Sequence, residues 1–263
     1  MRVFVDFCCG QTESTLVNNN FKKNGSESLL GKPYQGTELE ALYSLRRYRR
    51  WIMTFFEPYV RGRVLEIGAG IGNMSELLQP DVGTLDLVEP SPNFFHPLTK
   101  KFMNMSSVTI IPKTFEKFVS SKPSEPYDCI VMVNVLEHIE NDANALRECY
   151  GLLKPQGHLL IMVPALQFLF SDLDKLVGHY RRYEYSDLKA KALSANFELI
   201  KLCFFDSVGI IPWWLINTLG GATKFNNHLA SFYDYFVVPV TRKLETLYPP
   251  PVGKNLISIL RRS

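Results

Sequence analysis

The sequence predicts an α/β fold, a mostly parallel β-sheet with helices on both faces. Three observations carry this. Short apolar runs of about five or six residues recur between 63 and 165 and alternate with stretches of helical spacing. A glycine-rich turn, Gly68 to Gly72, joins the first of these runs to a helix. Acids, Glu66 and Glu89, stand at the ends of the first two runs, where such sheets bind ligands.

The elements follow in order. Residues 1–36 read as an arm: MRVFVDFCCG is too short for a signal peptide, and the polar stretches NNN, KKNGSES and GKPYQG follow it. Residues 37–263 read as one domain. Thr37 with Glu40 fits a capping box, and Leu39, Leu42, Leu45, Ile52, Met53 and Phe56 recur at helical spacing up to Pro58. The basic residues Arg46, Arg47, Arg49 and Arg50 read first as a solvated helix face, with contact to an anionic ligand as the alternative. RVLEIG is the first strand, NMSELLQP a helix, TLDLVEP the second strand, and PNFFHPLTKKFMN a helix after its first proline. VTIIPK and YDCIVMVNV are the third and fourth strands. NDANALRECYGLLK is a helix with PQG as its exit turn, and HLLIMVPA is the fifth strand. Beyond Ala165 a loop precedes a helix starting near Ser186. FELIKLCFFD is the sixth strand and KNLISILRR the last. Between them, 207–253 form an aromatic, proline-punctuated helical insertion, far longer than an ordinary connection.

Composition sets bounds. A length of 263 residues, 46% of them hydrophobic, suits one α/β domain with insertions. The net charge of +3 does not argue for nucleic acid. Five scattered cysteines without a CxxC pair give no disulfide framework and point to a reducing cytoplasm. No run is long enough for a spanning helix. The five histidines show no HxxxH spacing, so no metal site is expected.

The glycine turn is informative in detail. A dinucleotide fingerprint, G-x-G-x-x-G, would put its third glycine at position 73, which is Asn73; here it is Gly72. Glu66, two residues before Gly68, would repel a pyrophosphate but attract a cation. Glu89 lies about twenty residues past the turn, where a carboxylate holds a pair of ribose hydroxyls. S-adenosylmethionine, with a sulfonium, an ammonium and no phosphate, satisfies this charge logic; NAD does not.

VLEIGAGIG, LVEP, YDCIVMVNVLEHI and LLKPQGHLLIMVPA, in that order, resemble the successive motifs of class I S-adenosylmethionine-dependent methyltransferases over about Val64 to Ala165. FELIKLCFFD and PVGKNLISIL resemble that family's sixth and seventh strands. The resemblance implies a Rossmann-like seven-stranded sheet whose last strand is antiparallel and slots between the fifth and sixth. It implies S-adenosylmethionine as cofactor and S-adenosylhomocysteine as product. Glu66, Gly68, Ala69, Gly70 and Gly72 would line the methionine half, Glu89 would hold the ribose, and Pro90 and Ser91 would lie beside the adenosine. Thr114 and Phe115 match the adenine turn, where many relatives carry an acid and this sequence has none. Asn134, Val135 and Leu136 would close the other side. No NPPY-type motif follows the fourth strand, which speaks against DNA methylation.

Methyl transfer needs a base only when the acceptor starts protonated. His179, in VGHYRRYEYS, and His138, in NVLEHI, are the candidates. Arg181 and Arg182 either bind an anionic substrate group or pair with Asp172, Asp174 or Glu184. The insertion has three open destinations: a lid over an apolar substrate, a homodimer interface, or a membrane-surface contact. The expected activity is methyl transfer to oxygen or nitrogen of a small-molecule or lipid-like acceptor. The alternative is a non-catalytic binding or assembly protein on the same fold.

Overall fold

The computed structural model describes residues 45–224 and 226–263. The arm 1–36, the Thr37–Glu40 box, Leu39 and Leu42 lie outside the described residues. Seven strands form one sheet: β1 (Arg63–Ile67), β2 (Thr84–Val88), β3 (Val108–Ile111), β4 (Tyr127–Val133), β5 (Leu153–Pro164), β6 (Phe197–Phe205) and β7 (Asn255–Arg262). Their order is β3-β2-β1-β4-β5-β7-β6. The first five pair in parallel, and β7 runs antiparallel to both neighbours, Leu160 facing Ile259 and Phe204 facing Leu256. This is the Rossmann-like arrangement the motifs imply.

Side chains alternate across the pleat and build a core on each face. Leu65, Ile130, Ile161 and Leu260 enter one, while Val64, Val131, Leu160 and Ile259 enter the other. Helices cover both: α1 (Arg46–Phe56), α2 (Ser75–Leu78), α3 (Pro92–Phe102), α4 (Phe115–Ser120), α5 (Asp142–Leu152), α6 (Asp172–Leu176) and α7 (Tyr185–Ser194). α1 buries Tyr48, Trp51, Ile52, Met53 and Phe56, a stripe at helical spacing, and Trp51 packs on Phe205 at 4.2 Å between ring centroids.

β5 begins earlier than the sequence predicts. Pro155-Gln156-Gly157 lies inside it, with Gln156 at φ 65°, because Tyr127 pairs with Leu153 while Cys129 already pairs with His158. The extra residues of β5 are absorbed as a bulge. α6, predicted as loop, is closed by a capping box: Ser171 Oγ accepts from Asp174 N–H while the Asp174 carboxylate accepts from Ser171 N–H.

The insertion holds α8 (Ile210–Trp213), which continues as a π-helix over Trp214–Leu219, then α9 (Asn227–Phe232), a π-helical stretch Tyr233–Val237, and α10 (Val238–Leu247). It is anchored by Asp206, fully buried at φ 64°, whose carboxylate accepts from Tyr48 Oη at 3.0 Å, from Tyr233 Oη and from Gly209 N–H, and pairs with Lys254 at 3.0 Å. Asp234 accepts the N–H groups of Arg47 and Tyr48, occupying the exposed donors at the start of α1. Among the described cysteines, Cys129, Cys149 and Cys203 are unbridged. No described helix is long and apolar enough to cross a membrane.

Candidate active site

Strand order reverses between β1 and β4, and a cavity of about 580 Å³ lies at the carboxyl ends of these strands. Its floor is the glycine turn. Gly68, Gly70 and Gly72 all have positive φ, at 75°, 56° and 81°. A Cβ on Gly68 would stand 2.4 Å from Val135 Cγ2, and one on Gly72 would stand 2.6 Å from Phe102 Cε2 and 3.0 Å from Leu98 Cδ1. Gly72→Ala is therefore expected to lower stability by about 2 kcal/mol, from left-handed strain plus overpacking. The urea midpoint measures this.

The two strand-end acids meet at this turn. Glu89 is buried; one carboxylate oxygen accepts Gly70 N–H at 2.7 Å and the other accepts Ser91 N–H at 2.7 Å. Each oxygen keeps a further lone pair. Burial raises its pKa, against the lowering effect of those two bonds. Glu66 is buried beside it and accepts from Ser75 Oγ. Burial, reinforced by the Glu89 charge, pushes Glu66 up to about 8 despite the Ser75 bond and Lys101. Glu66 is thus largely protonated at neutral pH, and a positive group beside it would favour its anion.

Of the residues the sequence places at the cofactor, Glu66, Gly68, Ala69, Gly70, Glu89, Pro90, Ser91, Thr114, Phe115, Asn134 and Val135 line the cavity. Gly72 and Leu136 stand off its wall. Gly72 packs under α3, and Leu136, fully buried, joins the core beneath β4. Thr114 also caps α4, accepting Lys117 N–H at 3.3 Å. Asn134 sits at φ 53° and donates its N–H to Met162 O. α1 and the insertion supply a further wall through Ile52, Trp213, Ile216 and Leu229.

A histidine cluster lines the same cavity. His138 and His179 both line the cavity and pack edge to face, centroids 4.5 Å apart. His179 Nδ1 is 2.8 Å from Asp174 Oδ1. Asp174 is fully buried, bonded by Ser171 and paired with Arg182 at 3.0 Å. Burial alone would raise its pKa, but the His179 bond and the Arg182 charge bring it down to about 2. Burial and the neighbouring His179 bring His138 down to about 3, so it is neutral at pH 7. Behind them sits Glu137, fully buried, neither oxygen having a hydrogen-bond partner among the described residues; burial raises it to about 7. His179 Nε2 is 3.8 Å from Glu137 Oε1.

Contrary to the expectation from spacing, the fold does gather a potential ligand set, Glu137, His138 and His179, within 4.8 Å of one another. Two ligands on one tetrahedral ion at about 2.1 Å would stand roughly 3.4 Å apart. The His179 Nε2–Glu137 Oε1 separation of 3.8 Å is wider than that spacing.

The two arginines of the same loop are engaged within the protein. Arg182 pairs with Asp174 and lies 4.4 Å from the Trp213 ring; Arg181 pairs with Asp142 at 2.7 Å. Asp172 pairs with Lys175, and Glu184 accepts Gln167 N–H. Removing Asp174 would strand the buried Arg182 charge, so Asp174→Ala is expected to cost about 3–5 kcal/mol of stability in urea unfolding. The sequence reading weighed Asp174 as an arginine partner but missed its hold on His179, and it missed Glu137. The Ser171-x-x-Asp174 spacing was a readable signal; Glu137 offered none.

The chain resembles known proteins in sequence and fold. A family model described as a methyltransferase domain matches residues 40–209. A highly reducing polyketide synthase of Emericella nidulans is 30% identical over 119 residues, 39% of this chain and 4% of that one. A probable polyketide synthase of Dictyostelium discoideum is 30% identical over 130 residues, 42% of this chain and 5% of that one. The chain thus spans a small fraction of these relatives' length. Among solved structures, the N-methyltransferase NodS of Bradyrhizobium japonicum, in complex with S-adenosyl-L-homocysteine, has a TM-score of 0.52 at 14% identity, covering 82% of this chain and 86% of that one. An S-adenosylmethionine-dependent methyltransferase of Clostridium acetobutylicum has a TM-score of 0.54 at 10% identity, covering 82% and 91%. At these identities the likeness is one of fold.

Proposed function

This chain belongs to the methyltransferase-domain family, and from that premise we propose that it methylates a hydroxyl or amine of a lipid-like small molecule. Its cofactor is S-adenosylmethionine. The residues present fit that group. Glu89 has lone pairs left for a vicinal diol after binding Gly70 and Ser91. Glu66, buried and held near-neutral, gains a counter-charge from a cation. The observation that carries the reading is this pair of buried acids framing the glycine turn in the switch-point cavity.

The cofactor supplies an activated methyl group on a sulfonium. The chain's own work is positioning: Glu89 and the turn fix one reactant, and the wall of Ile52, Trp213, Ile216 and Leu229 holds the other. Such alignment contributes roughly 7 kcal/mol or more. His179 is the proton acceptor for the nucleophile. Asp174 fixes its Nδ1, and Glu137 lies beyond Nε2 as a further proton store. His138 packs on His179 and, being neutral, adds no charge that would oppose protonation. The apolar character of the wall supports a lipid-like acceptor.

The test is methyl transfer. The protein is incubated with S-adenosylmethionine carrying a labelled methyl group and a cell extract, then partitioned between chloroform and water. Label is expected in the organic phase. Label in the aqueous phase alone would overturn the lipid-like acceptor. No label in either phase, from protein that binds the cofactor, would favour the non-catalytic alternative.

Glu66 gives a pH signature. Its pKa is raised to about 8 in the free protein, so forming the anion releases a proton. Binding of the positively charged cofactor is expected to tighten as pH rises from 6 and to level off above about 8. Glu66→Gln should flatten that profile, and S-adenosylhomocysteine, lacking the sulfonium, should show a shallower one. Calorimetry across this range checks it.

A further inference from the structure

The helical run that closes the insertion carries an exposed apolar stripe opposite the side it buries. Asn227 to Leu247 continue without a break through α9, the π-helical stretch and α10. Ala230, Asp234, Val238 and Thr241 form the buried stripe. A surface helix ordinarily carries polar groups opposite such a stripe. Here that side carries Phe232, Phe236, Val240 and Leu247, exposed by 57%, 58%, 59% and 63%. Leu229, on the same stripe, is exposed and also lines the cavity, so the apolar surface leads into the active site.

Charge indicates what covers this face. The acids of 207–253 are Asp234 and Glu245. Both are used internally: Asp234 on the start of α1, Glu245 on the N–H groups of Asp206 and Ser207. The cations Lys224, Arg242 and Lys243 are exposed and form no ion pair among the described residues. The surface is therefore apolar, aromatic and positive. A second copy packed symmetrically on it would oppose like charges. An anionic bilayer complements both properties, accepting the apolar stripe below its headgroups and the cations among them. No described helix is long and apolar enough to cross, so the contact lies on the surface.

We propose that the exposed stripe of α9–α10, with Arg242 and Lys243, docks on an anionic lipid surface and turns the cavity mouth toward it. The docking stands apart from the methyl-transfer reading. Only its purpose, drawing a lipid-like acceptor from the bilayer, rests on that reading.

The test is flotation of the full chain with vesicles of pure phosphatidylcholine and of equimolar phosphatidylcholine and phosphatidylglycerol, without cofactor. Binding is expected on the anionic vesicles and should weaken with salt. Arg242→Ala with Lys243→Ala should reduce it roughly 25-fold, at about fivefold per cation. Phe236→Glu with Val240→Glu should abolish it. Both double variants change exposed residues away from the cavity and should bind S-adenosylmethionine as the intact protein does, so failure of docking is separable from failure of the cofactor reading. Absence of flotation with either vesicle, or flotation unchanged in both variants, would overturn the proposal. A dimer in light scattering that Phe236→Glu dissolves, without flotation, would assign the face to a second copy instead.

Discussion

A His179→Ala protein is expected to bind S-adenosylmethionine with unchanged Kd while kcat falls by about 10²- to 10⁴-fold, the usual contribution of a positioned base. The imidazole lines the cavity, and Asp174 fixes its Nδ1, which leaves Nε2 to take the proton. A neutral Asp174→Asn should lower kcat as well, because the amide no longer selects the tautomer that leaves Nε2 open, and it also weakens the Arg182 pair. A change in kcat below about threefold in His179→Ala would remove His179 from the chemistry. A parallel rise in Kd would make it part of the cofactor wall.

The second large effect belongs to Glu89. Glu89→Ala is expected to weaken S-adenosylmethionine and S-adenosylhomocysteine alike by about 100-fold or more. The change removes the acceptor for a diol and also frees two N–H groups, those of Gly70 and Ser91, that shape the turn. Unpaired polar groups in a buried site carry discrimination of this size. Glu89→Gln separates the two roles: its carbonyl can keep one N–H bond and so preserve the turn, but its amide is a poor double acceptor. Equal affinity in Glu89→Ala, measured by calorimetry, would place the ribose elsewhere.

Much of this site was legible in the sequence because it is local. A strand, a glycine turn and a helix are contiguous, and each acid closes its own strand, so Glu66 and Glu89 could be placed before any packing was known. The sheet was legible for the same reason, through apolar runs with clear ends. What packing decides was not legible. Gly72 belongs to the same motif as Gly68, yet it faces Phe102, thirty residues on, and serves the fold. Leu136 adjoins Val135 but turns into the core. Arg181 and Arg182 are neighbours whose partners, Asp142 and Asp174, lie on different elements. Glu137 is one residue from His138, and only the folded loop shows that its carboxylate is buried without a hydrogen-bond partner among the described residues and faces His179. The β5 bulge depends on pairing with β4, which no pattern within β5 reveals.

Calorimetric titration of S-adenosylmethionine into the intact chain, with NAD as the comparison ligand, tests the central claim most directly. The account predicts micromolar binding of S-adenosylmethionine, loss of that binding in Glu89→Ala, and no heat with NAD. No binding of S-adenosylmethionine by protein shown to be free of co-purified ligand would contradict it.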